Sequence, residues 1–242
     1  MSHLVIDAGN TSVKAALLDE GRIVAVRRSV RLDSEIVRLV AGRDVTCGIL
    51  SAVRALTPEE SALLEGLPFR MLRLSVELPL PLHIAYRTPD TLGPDRIAAA
   101  VGAWRRCPGS NILVIDAGTA ITYDIVTASG EYLGGNISPG KNLRFRALHE
   151  YTGRLPLVSP SDEVPDVGYS TETAIRSGVI RGIQDEITGC IARFSSIYES
   201  LNVFLTGGDA KLFEKPIKSG IFADEFLVLE GLDSICSFNE KI

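Results

Sequence analysis

Apolar residues along the chain gather in short runs that end at glycine. The first of these, Leu4-Val5-Ile6-Asp7-Ala8-Gly9, returns letter for letter as Leu113-Val114-Ile115-Asp116-Ala117-Gly118, at an offset of 109 residues. Runs this short, bounded by turn-forming residues, read as strands rather than helices. An apolar-rich return strand follows each run, then a turn at Asp19-Glu20-Gly21 or Ala128-Ser129-Gly130, then a third strand. The expected strands cover 4–7, 13–18 and 22–30 in the first copy, and 112–116, 120–127 and 131–136 in the second. The chain thus carries a duplicated antiparallel meander, and repeats of this kind govern any fold assignment.

Helical segments follow each meander. Thr57-Pro58-Glu59-Glu60 places Thr at the N-cap, Pro at the first helical position and Glu at the third, a capping box that opens a helix running toward Leu67. Strands are expected on either side of it, over 47–53 and 69–74. A further helix is expected over 96–104. Another covers 171–198, although Gly178, Gly182 and Gly189 argue against one straight rod. A strand at 202–205 and a helix from about Ala210 come last. The pattern implies two mixed α/β lobes, 1–109 and 110–242, divided at the turn-forming cluster Pro108-Gly109-Ser110.

Composition narrows the function classes. The 242 residues are 45% hydrophobic, enough for a sizeable core. The longest apolar stretches, such as 97–104, fall far short of the ~20 residues needed to span a bilayer. The Met-Ser-His-Leu-Val-Ile-Asp start lacks the basic and apolar segments of a secretory signal, so a cytoplasmic protein is expected. A net charge of -5 disfavours broad attraction to nucleic acid or to an anionic membrane, and neither is expected as a partner. Cys47, Cys107, Cys190 and Cys236 form no Cys-x-x-Cys pair, and His3, His83 and His149 are scattered, so neither a zinc site nor a disulfide framework is expected. The histidines read as ordinary surface or packing residues.

The candidate chemistry sits at the glycines. In Asp7-Ala8-Gly9-Asn10-Thr11-Ser12-Val13-Lys14 the glycine admits close backbone approach to a phosphate, and Asn10, Thr11, Ser12 and Lys14 supply donors around it. Asp7 repels phosphate unless Mg2+ lies between the carboxylate and the nucleotide oxygens. A polar hairpin turn is the structural alternative. Asp116-Ala117-Gly118-Thr119 repeats the arrangement, so that two loops can grip one polyphosphate. Thr206-Gly207-Gly208-Asp209 forms a third glycine site after a strand, suited to an adenosine, with Asp209 as a helix cap in the structural alternative. Paired Asp-x-Gly loops also occur in aspartic proteases, but the orienting Thr or Ser is replaced here by Ala8 and Ala117. In Tyr86 to Arg96, the Gly93-Pro94 turn leads into a helix whose start holds Asp95 and Arg96, either a cap or a base beside an anion-binding group.

A duplicated strand-turn-strand core with three glycine sites resembles the superfamily of sugar kinases, actin and heat-shock chaperones, which implies actin-like (ribonuclease H-like) lobes with the nucleotide cleft between them. Within it the chain resembles the type III pantothenate kinases along essentially its whole length. The motifs stand in order: Asp7-Ala8-Gly9-Asn10-Thr11, Gly93-Pro94-Asp95-Arg96, Asp116-Ala117-Gly118-Thr119-Ala120, Ser138-Pro139-Gly140 and Thr206-Gly207-Gly208-Asp209. The resemblance implies ATP-dependent phosphorylation of pantothenate to 4'-phosphopantothenate. It makes Asp95 the catalytic base, Arg96 a partner of pantothenate, and places Tyr86, Gly93, Pro94 and Thr171 near the same substrate. It makes Asp116 the ligand of a monovalent cation, K+ or NH4+, and Thr119 a contact of ATP, and it implies a homodimer. Pro94 and the basic stretch Lys141-Asn142-Leu143-Arg144-Phe145-Arg146 depart from the family pattern, and the basic stretch is read as one solvated helix face. Two other readings fit the same fold: a kinase of another small hydroxylated acid, and a catalytically silent nucleotide-binding regulator.

Overall fold

The structure, a computed structural model, describes residues 1–160, 163–214 and 220–241. Its elements follow the periodicity of the sequence closely. In the first copy of the repeat, β1 (Ser2–Ala8), β2 (Val13–Asp19) and β3 (Arg22–Ser29) form an antiparallel meander. β4 (Val45–Ala52) joins β1 in parallel and β5 (Arg70–Arg73) joins β4, giving a five-stranded sheet in the order β3-β2-β1-β4-β5. Helix α1 (Ser34–Val40) follows β3, and α2 (Pro58–Glu65) opens on the expected capping box of Thr57 and Glu60.

The second copy gives β7 (Ile112–Ala117), β8 (Ala120–Val126) and β9 (Glu131–Pro139). With β6 (His83–Ile84), β10 (Asn202–Thr206) and β11 (Ile221–Ala223) they make a six-stranded sheet in the order β11-β10-β7-β8-β9-β6. The two copies differ at their turns. Four residues, 9–12, separate β1 from β2, whereas two, 118–119, separate β7 from β8. The second turn restores the offset, because two residues separate β2 from β3 and four separate β8 from β9. Gly21 (φ 75°) and Gly130 (φ 81°) take the left-handed conformation those second turns require.

Five more α-helices follow among the described residues: α3 (Pro94–Arg106), α4 (Lys141–Glu150), α5 (Thr171–Ser195), α6 (Ala210–Glu214) and α7 (Leu227–Asn239). The glycines of 171–195 do not interrupt α5, which runs for 25 residues. By spatial proximity one compact unit comprises Met1–Ile112, Asp124–Gly134 and Phe226–Ile242, and the other Leu113–Tyr123 and Gly135–Glu225. The first unit holds the five-stranded sheet, with Leu4, Ile6, Ala8, Leu17, Ile36, Leu50 and Leu64 in its core.

Also in the first unit, α7 lies on α3, an element the repeat gives no hint of. Two glycines let the backbones meet: a Cβ on Gly231 would stand 1.8 Å from the Ala98 carbonyl oxygen, and one on Gly102 would stand 2.3 Å from that of Leu227. His3, buried as a packing residue, ties β1 to α7. Its Nδ1 lies 2.7 Å from Asp233 Oδ1 and its Nε2 lies 2.8 Å from Glu240 Oε2. Gly231→Ala therefore forces a side chain into a neighbouring backbone, and its urea midpoint is expected to fall by an amount equivalent to about 1–3 kcal/mol. An unchanged midpoint would show that the helices do not meet at this glycine.

Candidate active site

The end of β1 positions the first candidate group. Ala8 is fully buried, which explains a small residue at that point, while Asp7 before it is only partly covered. Lys14 is the cross-strand partner of Asp7, and Ser51 of β4 donates its hydroxyl to Asp7 Oδ1 at 3.2 Å. Gly9 N–H closes the turn on the Ser12 carbonyl at 3.0 Å, and Asn10, Thr11 and Ser12 are exposed. Burial and the nearby charge of Asp95 push the Asp7 carboxyl up to about 6, against the opposing pull of Lys14 and Ser51.

The charge of Asp95 thus acts on Asp7 from a segment of the same unit almost 90 residues away in sequence. The helix N-cap is Gly93, with Pro94 at the first helical position and Asp95 inside the first turn, which replaces the expectation of Asp95 as a cap. Its Oδ1 accepts the Arg96 backbone N–H at 2.9 Å. Gly93 makes room for this: a Cβ there would lie 2.5 Å from Asp95 Oδ1. Burial pushes the Asp95 carboxyl upward, the Arg96 amide pulls it back, and the charge of Asp124 pushes it up again.

Arg96 is almost wholly buried. Its Nε donates to Asp124 Oδ1 at 3.0 Å, its Nη2 donates to the same oxygen, and the Tyr132 hydroxyl donates there too at 2.7 Å. The Tyr86 ring lies over the guanidinium, 5.8 Å from centroid to Cζ. Tyr132 meets Tyr86 edge-on at 6.3 Å between centroids. Sequence reasoning did not single out Asp124, Tyr132 or Ser51. The one available signal was an aspartate in the otherwise mostly apolar strand Ala120-Ile121-Thr122-Tyr123-Asp124-Ile125-Val126.

In the other unit, three motifs distant in sequence meet. Asp116 ends β7 as Asp7 ends β1, partly covered and followed by a buried alanine. Gly140 N–H donates to the Thr119 carbonyl at 3.0 Å, and Asp209 N–H donates to the Ala117 carbonyl at 2.9 Å. Only glycine permits this approach. A Cβ on Gly140 would stand 2.2 Å from the Gly118 carbonyl oxygen, and one on Gly207 (φ 97°) would stand 2.4 Å from Asp116 Oδ1. Gly208 is exposed, with open space beside it, and Thr119 is also exposed.

The basic stretch does not form one solvated face. Lys141 Nζ reaches Asp209 Oδ1 at 2.7 Å, and the Arg144 guanidinium pairs with Glu186 of α5, which also accepts the Ser138 hydroxyl and, at 2.7 Å, that of Tyr123. Of the stretch's cations, Arg146 fits the solvated reading, pairing with Glu150 on the exposed side of α4. Periodicity misled here because the helix is short and its acidic partners come from later segments. Thr171, the first residue of α5, is exposed and lies within the capping box of Ser170 and Thr173.

The fold is that of the sugar kinase and actin-like ATPase class. A ROK family glucokinase from Streptomyces griseus matches over 100% of both chains with a TM-score of 0.58 at 14% identity. Component A of (R)-2-hydroxyglutaryl-CoA dehydratase from Acidaminococcus fermentans matches over 100% of this chain and 98% of its own, with a TM-score of 0.53 at 15% identity. At such identities the likeness is one of fold alone. Residues 3–193 match the profile of the type III pantothenate kinases. The type III pantothenate kinase of Phocaeicola vulgatus is 48% identical over 241 residues, 99% of this chain and 100% of the relative. That of Bacteroides fragilis is 49% identical over 238 residues, 98% of each chain. The chain belongs to the type III pantothenate kinase family.

The raised carboxyl of Asp7 has a consequence for stability. Its folded value of about 6 lies above the ordinary 3.8 of an aspartate, so the folded state binds more protons between roughly pH 4 and 6. Stability from this group is thus greatest at low pH and is lost as pH rises through that window. Asp7→Asn removes the penalty. The variant is expected to be more stable than the parent at pH 7 by about 1–3 kcal/mol, with the difference closing near pH 4. Urea denaturation at the two pH values measures it, and a variant less stable at pH 7 contradicts the assignment.

Proposed function

We propose that the chain transfers the γ-phosphoryl group of ATP to the primary hydroxyl of pantothenate, giving 4'-phosphopantothenate at the first step of coenzyme A biosynthesis. The observation that carries this reading is the family match over residues 3–193 together with the Asp95 carboxylate, oriented by the Arg96 amide beside Asp7. Among the described residues, no helix is long and apolar enough to cross a membrane. Action in the cytoplasm, as a homodimer with lobes 1–109 and 110–242 and without nucleic acid or membrane partners, belongs to the same proposal.

Catalysis in this reading is positioning and charge neutralisation more than covalent chemistry. Asp95 accepts the hydroxyl proton as the oxygen attacks phosphorus, and burial, which pushes its carboxyl up, makes it the better base. Arg96, Tyr86, Gly93, Pro94 and Thr171 receive pantothenate. Asp7, Ala8, Gly9, Asn10, Thr11, Ser12, Val13 and Lys14 are assigned to ATP, as are Gly118, Thr119, Gly207 and Gly208.

The carboxylates suit two cations. Asp7 faces the charge of a second carboxylate, which Mg2+ nearby would relieve, and hard oxygen donors fit that ion. Asp116, beside backbone oxygens of its own loop, fits K+ or NH4+. Among the described residues no three His, Cys, Asp or Glu side chains gather into one metal site. The chemistry of the two cations is to offset the phosphate charge.

One experiment tests the reading. ADP release is expected to depend strongly on pantothenate and on K+ or NH4+, in a preparation that sediments as a dimer of the 26 kDa chain. ADP release that ignores pantothenate but depends on another small hydroxylated acid would favour a kinase of that acid, and no release with any such acceptor would favour a silent nucleotide-binding protein. Activity unchanged when a bulky organic cation replaces every monovalent ion would remove the role given to Asp116.

Asp95→Asn tests the base. Asparagine can still accept the Arg96 amide, so stability should change by no more than about 0.5 kcal/mol. It cannot take a proton, and general-base assistance is worth about 10²- to 10⁴-fold. The variant is expected to bind ATP normally with kcat at least about a hundredfold lower. A near-normal kcat would show that Asp95 is not the base.

A further inference from the structure

Asp124 has no place in the reading above, yet it is among the most buried charged side chains of the chain, 1% exposed, beside an Arg96 that is 7% exposed. Taking two charges out of water is costly unless geometry and further hydrogen bonds compensate. Here three donors converge on one carboxylate oxygen: Nε and Nη2 of Arg96 and the Tyr132 hydroxyl. Tyr132 is itself fully buried. The contacts engage one edge of the guanidinium, and the Tyr86 ring covers it. Gly134 (φ 108°) keeps that ring in place, because a Cβ there would lie 2.7 Å from Tyr86 Cδ2. The guanidinium is left with a single orientation.

Arg96 is also the residue whose backbone N–H holds the Asp95 carboxylate. The charge of the guanidinium on the same residue also acts on that carboxylate. Asp124 holds that guanidinium through its Nε and Nη2. We propose that Asp124, fixed by the Tyr132 hydroxyl, is a positioning residue that aims the Arg96 side chain at the substrate. This rests on the assignment of Arg96 to the pantothenate site.

The alternative is a buried ion pair that does no more than fasten α3 to the second sheet. The two differ in kinetics. A fastening role lowers the melting temperature and leaves kinetic constants, measured well below melting, unchanged. A positioning role raises the KM for pantothenate and leaves that for ATP as it was, because misplacement of a binding group by about 1 Å can cost on the order of 100-fold.

Steady-state kinetics of Asp124→Asn, Tyr132→Phe and Arg96→Lys, with both substrates varied, decide the matter. Asp124→Asn is expected to lower kcat/KM for pantothenate by about 10- to 100-fold, mostly through KM. Tyr132→Phe, which removes only the hydroxyl that fixes Asp124, should move the same constant in the same direction by less. Arg96→Lys combined with Asp124→Asn should cost less than the product of the separate effects, since both act through one guanidinium. If Arg96→Lys raises the KM for pantothenate while Asp124→Asn and Tyr132→Phe leave it unchanged, the proposal is overturned and the assignment of Arg96 stands. If Arg96→Lys leaves that KM unchanged, the assignment itself fails, and the proposal with it. Should Asp124→Asn not fold, Tyr132→Phe decides alone, because it leaves the ion pair in place.

Discussion

Close approach of backbone to backbone is the constraint on which the rest of this structure depends. A chain that brings a phosphate-binding class of loop to the end of a strand must leave room there for a neighbouring segment, and a side chain at the meeting point removes that room. In the second unit Gly140 and Gly207 sit against carbonyls of 117–119 at distances no Cβ tolerates. The hydrogen bonds from Gly140 and Asp209 to those carbonyls exist only because of it. In the first unit Gly102 and Gly231 bring α3 against α7 in the same way. Since α3 begins at Gly93 and carries Asp95 and Arg96 in its first turn, the seating of that helix is also the seating of the candidate base.

Charge is handled by a second rule, pairing at depth. Arg96 with Asp124, and Lys141 with Asp209, each match a cation to an acid from a remote segment. Asp7 and Asp95 are the exception. The charge of Asp95 acts on Asp7, and both carboxyls are pushed upward by burial. Placing like charges together costs stability, and proteins keep such arrangements where a reaction or a bound cation repays them. A kinase site is a place where a cation and a proton transfer do so, which is why the family membership and the electrostatics point the same way.

The duplication was legible because identity over six residues survives without any knowledge of the fold. It extended further than the letters: β1 and β7 share a burial pattern in which the aspartate is half covered and the following alanine fully buried. Drift between the copies was not legible. The first turn is two residues shorter in the second copy and the second turn two longer, so the position matching Lys14 on β2 holds Ile121 on β8. A fixed offset hides such a compensated shift, because loops change length freely while strands keep their register.

What the sequence by itself determined is local: strands from apolar runs, the Thr57–Glu60 capping box, turns at glycine, and the ordered motifs that identify the family. These are set by neighbours a few residues apart, where periodicity and capping chemistry act. Only the tertiary structure decided which distant residues answer one another. It put Gly93 rather than Asp95 at the cap, Asp124 on Arg96, and Lys141 and Arg144 on acids of later segments. It also returned α7 to the first unit through His3 and two glycines. A buried ion pair leaves no period in a sequence, since its partners are chosen by the packing of elements and not by their spacing along the chain.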